Sequence, residues 1–245
     1  MGASRLTGEN HKPEILSDFS RVNADRHCGL KRLCDLLISL LAIIALAPVM
    51  IAISIVLIGL GFHHPIFRQK RVGRHATVFT IFKFRTLRDR TCRRSSAPII
   101  RLSDQFTGWL RISGLDELPQ LINVIRGEMS LVGPRPHSVA DHALFATSLP
   151  GYDARLAMRP GITGLAQIRG WRGPVDCHHH LRARTGCDLD YIADQNPLRD
   201  GIILFATVLL PLRRSSTSRL PARQADHKGQ RPGQGHVFRH DQRLV

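Results

Sequence analysis

Residues 36–61 read LLISLLAIIALAPVMIAISIVLIGLG, an almost wholly apolar run with Pro48 near its centre. A run of this length is a transmembrane candidate, because a hydrocarbon core of about 30 Å takes roughly 20 helical residues to cross. It begins too late for a secretory signal and lacks a small-residue cleavage site at its end. Pro48 removes a backbone donor and its ring crowds the preceding turn, so a helix through it is expected to break or kink. Each half alone is too short to cross the core. The flanks are basic on both sides, with Arg26, Lys31 and Arg32 before the run and Arg68, Lys70, Arg71 and Arg74 after it. Lysine and arginine favour the cytoplasmic face. A helix that enters the bilayer and turns back satisfies both flanks, and a straight span does not. The expectation is therefore a re-entrant membrane helix broken at Pro48, with a tilted, proline-kinked single span as the alternative.

Around this run the chain divides into a polar leader (1–30), the membrane helix (31–61), a cytosolic catalytic domain (62–212) and a basic tail (213–245). The tail is rich in Arg, Ser, Gln, Gly and His without apolar periodicity, the composition of a disordered segment. Over 245 residues the formal charge is +16. Such a charge points to a polyanionic partner: nucleic acid, an anionic membrane or phosphorylated substrates. Scarce aromatics and the lack of a nucleic-acid motif argue against nucleic acid. The five cysteines form no CxxC pair, so they read as reduced thiols. Cys177-His178-His179-His180 with Cys187 is a metal-binding alternative, but its spacing matches no standard zinc pattern.

Within the domain, Ile66–Val72 and Val78–Arg85 read as strands around a turn at Gly73-Arg74-His75-Ala76. Strand alternation puts Phe79, Ile81, Lys83 and Arg85 on one side. Lys83 and Arg85 would then point together from a rigid element, as a phosphate clamp requires; a solvated strand end is the plainer reading. Leu118, Leu121, Ile122 and Ile125 recur at helical spacing, which predicts a helix over Leu115–Arg126 with Pro119 in its first turn. The fold class is α+β, mostly helical with a small β-hairpin.

Asp116-Glu117 would sit at the start of that helix. An acidic pair among fixed cations suits phosphate chemistry assisted by a metal: the cations hold phosphates while the carboxylates attack or bind Mg2+. The helix dipole and nearby cations would keep Asp116 ionised, as a nucleophile requires. Its alternative is a simple N-cap.

In order along the chain stand Lys31-Arg32-Leu33-Cys34-Asp35, Phe67–Gly73, Phe79–Thr86, Leu115-Asp116-Glu117-Leu118-Pro119-Gln120-Leu121, Gly127–Pro136 and Arg159-Pro160-Gly161-Ile162-Thr163-Gly164-Leu165-Ala166-Gln167. Taken together, these segments resemble the bacterial sugar transferase family, the monotopic polyprenyl-phosphate phosphoglycosyl transferases that begin exopolysaccharide, capsule and O-antigen assembly. The resemblance runs from Lys31 to about Leu210.

The resemblance implies transfer of a hexose-1-phosphate from a UDP-hexose to undecaprenyl phosphate at the inner membrane, with the catalytic domain facing the cytosol. UMP and undecaprenyl-diphosphate-hexose would be the products, through a covalent aspartyl phospho-sugar. Carried over, Asp116 is the nucleophile and Glu117 helps to place magnesium or the reacting groups. Lys83, Arg85, Arg111, Arg135 and Arg159 form the candidate phosphate-binding ring. Gly170-Trp171-Arg172-Gly173 is similar to the glucose-1-phosphate branch, with galactose enzymes as close relatives. Expected partners are membrane lipid, a second copy of the chain and other polysaccharide-assembly proteins, and no nucleic acid.

The chain departs from the family pattern at Ala47-Pro48, usually Ser-Pro, at Ile112 and Gly114 before the acidic pair, and at Asp194–Leu198, which lacks the usual tryptophans. These departures support a second reading: a catalytically impaired member acting as a membrane-bound interaction or regulatory subunit.

Overall fold

Helix α1, Cys28–Gly59, is the longest element of the computed structural model, which describes residues 28–87 and 97–214. The leader up to residue 27 (with Arg26) and the tail beyond Arg214 lie outside the described residues. At ~1.5 Å per residue α1 is roughly 48 Å long. Helical structure runs through Pro48 without interruption, so the expected separation into two halves is not seen. A single missing amide removes one bond from the ladder, and the apolar turns on either side remain helical.

The polar residues at the start of α1 bind the rest of the domain. Lys31 Nζ pairs with Asp200 at 2.7 Å and donates to the Val132 carbonyl at 3.1 Å. Arg32 donates to the carbonyls of Val124 and Ile125. Asp35 accepts from the Ser130 hydroxyl and the Leu131 amide. At the other end Ile53, Leu57 and Leu60 pack with Phe62, Phe84 and Leu110 in a buried cluster. Both ends of α1 thus rest on one domain. Between them Leu37, Leu40, Leu41, Ile44, Ile51 and Ile55 are exposed, and an 18-residue stretch within Gly29–Gly59 reaches a mean hydropathy of 3.0. So apolar an exposed helix is compatible with a membrane anchor.

The hairpin forms as the period-two pattern predicts. Strand β1, Ile66–Val72, pairs antiparallel with β2, Val78–Phe84, in the register Ile66↔Phe84 to Val72↔Val78. Phe79 and Ile81 are buried in the main core with Leu121, Val124, Met129, Tyr191 and Ile203, and Lys83 continues their face.

Helix α2, Ala97–Ser113, leads to a 3-10 turn, Leu115–Gln120, and to the short α3, Leu121–Ile125. The single helix expected over Leu115–Arg126 is therefore two pieces. Pro119 has no amide to bond the Leu115 carbonyl, so the first turn tightens.

A second sheet carried no sequence signal. β3, Ser130–Val132, and β4, Gly161–Thr163, pair in parallel, joined through α4, Val139–Ser148, and a 3-10 turn, Tyr152–Ala157. Gly133 meets the 159–161 backbone so closely that a Cβ on it would lie 2.5 Å from the Arg159 carbonyl oxygen. This contact fixes the Gly133–Pro136 segment against β4.

The short α5, Leu165–Ile168, then α6, His178–Ala193, and α7, Pro197–Arg214, complete the domain. α7 exposes Leu198, Ile202, Phe205 and Val208, an apolar stripe without the tryptophans of the family pattern. The fold is mostly helical, with two small sheets and one apolar N-terminal helix.

Candidate active site

Gly114, at φ +78, stands in the left-handed region that glycine adopts without strain. It turns the chain out of α2 into the 3-10 turn and places Asp116 and Glu117 beneath the end of β2. Glu117 is clamped. Lys83 Nζ donates to its Oε1 at 2.7 Å, and Arg135 forks onto it at 2.6 Å and 3.3 Å. Burial alone would raise the Glu117 carboxyl, but Arg135 and then Lys83 outweigh it and hold the group well below the usual carboxylate range. Two-point binding by a guanidinium fixes direction as well as charge. Arg135 stands between Pro134 and Pro136, which stiffen its backbone.

Asp116 has a different environment. It is 9% exposed, and among the described residues no side chain donates a hydrogen bond to its carboxylate. Burial and the neighbouring Glu117 charge push its pKa up to about 6. Lys83 and Arg135 favour the ionised form, as expected, but burial and Glu117 outweigh them, so Asp116 stays mostly ionised at neutral pH while lying closer to its protonated form than an ordinary aspartate. Two adjacent carboxyl groups are driven apart, one permanently charged and the other poised near neutrality, a pattern of groups with distinct chemical roles.

This yields a pH prediction. The folded Asp116 carboxyl holds its proton more tightly than in the unfolded chain, about 6 against 3.8. Its contribution to stability is therefore full below about 3.8 and is lost as pH rises through about 6. Asp116→Asn, which removes the buried charge, is expected to raise stability by up to about 3 kcal/mol at pH 8 and to give little gain at pH 4. Thermal melts at the two pH values check it; equal effects at both would contradict the shift.

Behind Arg135 lies a buried polar network. Arg155 Nε and Nη2 both donate to Asp188 Oδ2, at 3.0 Å and 2.6 Å. Arg155 Nη2 also donates to the Arg135 carbonyl at 2.7 Å, and Nη1 lies 2.9 Å from His137 Nδ1. Arg184 donates to the carbonyls of Trp171 and Gly173. Burial, with Arg155 and Arg184 beside it, holds the His137 imidazole well below its usual range and keeps it neutral. Arg71 donates to Gln69 and approaches the Pro136 carbonyl at 3.4 Å.

Of the five cations named from sequence, Lys83 and Arg135 meet at the acidic pair. Arg85 donates to the His64 carbonyl and lies over the Phe67 ring. Arg111 is exposed in the last turn of α2. Arg159 donates to the Gly127 carbonyl. Arg71 was read only as a flanking charge, and His137, Arg155, Arg184 and Asp188 were not named as site residues. His137 follows the Pro134-Arg135-Pro136 signal directly and could have been included; Arg155 and Asp188 stand 33 residues apart with no local pattern.

The 177–180 cluster forms no metal centre. Among the described residues no group of three or more His, Cys, Asp or Glu could hold an ion. α6 begins at His178, and its histidines are engaged elsewhere: His178 lies against the Ser148 carbonyl, while His179 and His180 pack on Trp171.

A family profile described as bacterial sugar transferase matches residues 26–214, an interval that holds the whole site. The chain belongs to the bacterial sugar transferase family. Among relatives within it, the exopolysaccharide production protein PSS of Rhizobium leguminosarum bv. phaseoli is 40% identical over 193 residues, covering 76% of this chain and 96% of that protein. The UDP-glucose:undecaprenyl-phosphate glucose-1-phosphate transferase of Caulobacter vibrioides is 40% identical over 183 residues, 73% of this chain and 68% of its own. The Escherichia coli protein of the same name is 38% identical over 184 residues, and the match takes in 39% of its length. This sugar transferase thus matches the R. leguminosarum protein nearly end to end and only part of the E. coli one.

Proposed function

We propose that this chain transfers glucose-1-phosphate from UDP-glucose to undecaprenyl phosphate, giving undecaprenyl-diphosphate-glucose and UMP, as the first step of exopolysaccharide assembly. The observation that carries this reading is the Asp116 carboxylate, to which no described side chain donates, beside a Glu117 that holds two cations in place. It is joined by the names of the relatives, which specify this reaction.

In the proposed mechanism an Asp116 oxygen attacks the sugar-linked phosphorus. The bond from that phosphorus to the bridging oxygen breaks, and UMP leaves with the bridging oxygen. An oxygen of the lipid phosphate then attacks the same phosphorus and releases Asp116. Splitting the displacement into two steps is covalent catalysis. Lys83 and Arg135 act on the charge of the diphosphate, since phosphoryl transfer depends mainly on positioning and neutralisation. Glu117 fixes both cations.

The donor set fits Mg2+ in one way. Glu117 already accepts three hydrogen bonds from Lys83 and Arg135, which leaves Asp116 as the carboxylate of the pair that would take an ion. Magnesium is commonly held by one or two carboxylates together with substrate phosphates. Bound there, it would neutralise charge on the diphosphate.

The membrane reading follows the same line. In this reading α1 stays continuous but bends at Pro48, so that both its ends lie at the cytosolic face of the inner membrane, and the catalytic domain stays in the cytosol. Its support is that both ends of α1 engage one domain while the middle exposes apolar side chains. Cysteines placed at positions 30 and 63 are expected to label only from the cytosolic side; labelling of one from the periplasm would establish a span.

The reaction is tested by incubating full-length, detergent-extracted protein with Mg2+, undecaprenyl phosphate and a panel of UDP-hexoses. UMP and a lipid-linked diphosphate sugar are expected with UDP-glucose. Release of UDP would mean transfer of the sugar alone, and no release from folded protein would favour a non-catalytic role.

A further inference from the structure

We infer that Arg155, held by Asp188, is a positioning residue that sets the Arg135 backbone and through it the clamp on Glu117. The inference rests on the phosphoryl-transfer reading above. Arg135 touches Glu117 with its side chain, and its backbone is held from behind. Its own carbonyl accepts from Arg155 Nη2 at 2.7 Å. On either side, the Pro134 carbonyl accepts from the Gly161 amide at 2.9 Å and the His137 carbonyl from the Val72 amide at 3.0 Å. The two flanking ties are backbone bonds. Arg71 Nη1 adds a longer side-chain bond to the Pro136 carbonyl at 3.4 Å, but the tie on Arg135 itself comes from the buried Arg155 side chain, and that side chain is fixed in turn.

Arg155 is 3% exposed and Asp188 1%. Nε and Nη2 share one Asp188 oxygen, and Nη1 faces His137 Nδ1 and the Tyr152 hydroxyl. His137 in turn stacks on the Tyr152 ring at an interplanar angle of 12°. The guanidinium therefore has little freedom, and neither has the carbonyl it grips. The chain of contacts runs from Asp188 through Arg155 and Arg135 to Glu117, and ends beside Asp116.

A buried ion pair is weak evidence for stability in itself, because desolvation offsets the attraction. What distinguishes this one is its hydrogen bond to the backbone of the residue that grips Glu117. Displacing a reacting constellation by about 1 Å costs on the order of 10²-fold in rate.

The test is Arg155→Lys in the full-length protein, with active sites titrated by the initial burst of UMP. Lysine keeps a positive charge beside Asp188, but one ammonium cannot span Asp188, the Arg135 carbonyl and His137 together. The expected result is a fall in kcat of about 10²-fold per active site, with the KM for the UDP-hexose changed by less than about threefold. Tyr152→Phe leaves the ion pair intact and removes one hydroxyl against Arg155. Its kcat is expected to fall about 2- to 10-fold with KM held, and it decides the matter should the lysine variant not fold. A folded Arg155→Lys with wild-type kcat per active site overturns the inference, as does an unfolded one together with wild-type kcat in Tyr152→Phe. No UMP from the wild-type chain with any donor would remove the underlying reaction, and this inference with it.

Discussion

Asp116→Asn is expected to reduce UMP release by more than about 10⁴-fold, the scale on which covalent enzymes fail when their nucleophile is removed. An amide does not form the acyl phosphate that the two-step displacement needs. The same substitution removes a buried charge that opposes folding above about pH 6, so the inactive variant should melt higher than the wild type at pH 8. Loss of activity together with a gain in stability separates a chemical role from a structural one. An N-cap would give the opposite pair: activity retained in the folded fraction and a lower melting temperature. Full turnover by Asp116→Asn would remove this carboxylate from the mechanism.

Glu117→Gln is expected to damage both stability and chemistry. Glu117 faces Lys83 and Arg135 with its side chain 12% exposed. Removing its charge leaves two cations without their partner, and breaking such a pair costs about 3 kcal/mol. The cations are then free to turn to Asp116. Glu117 raises the Asp116 carboxyl while Lys83 and Arg135 lower it. All three changes act in one direction, so the acidic limb of kcat/KM should move from near pH 6 to lower pH. A more acidic carboxylate is a weaker nucleophile, and with the cations misdirected kcat should fall by about 10²-fold or more. A pH–rate profile and a thermal melt check both parts. An unchanged acidic limb in a folded Glu117→Gln would show that the two carboxyl groups are not coupled.

The parts of this molecule that were legible in its sequence are those with local causes. The hairpin follows from alternation over Phe79–Phe84 and a glycine-led turn. α1 follows from an unbroken apolar run, and Asp116-Glu117 stands out as an acidic pair in a basic chain. What escaped depends on distant residues. The parallel pair β3–β4 has three residues per strand, too few to show a period. Lys31 and Arg32 read as flanking charges for a membrane segment, yet they bond to Asp200 and to the end of α3, across separations no local pattern records. Arg85 was grouped with Lys83 by strand alternation, but β2 ends at Phe84 and the Arg85 side chain turns to the His64 carbonyl and the Phe67 ring. The raised pKa of Asp116 could not be read either, because it comes from burial, which only the packed domain supplies.

The most direct measurement is a single-turnover reaction of the full chain with sugar-labelled UDP-glucose and Mg2+, in the absence of undecaprenyl phosphate. One UMP released per active site is expected, with the labelled sugar phosphate retained on the peptide that carries Asp116 and discharged when undecaprenyl phosphate is added. No UMP until the lipid is present, with no label on the protein, would contradict the covalent step and with it the role given to Asp116.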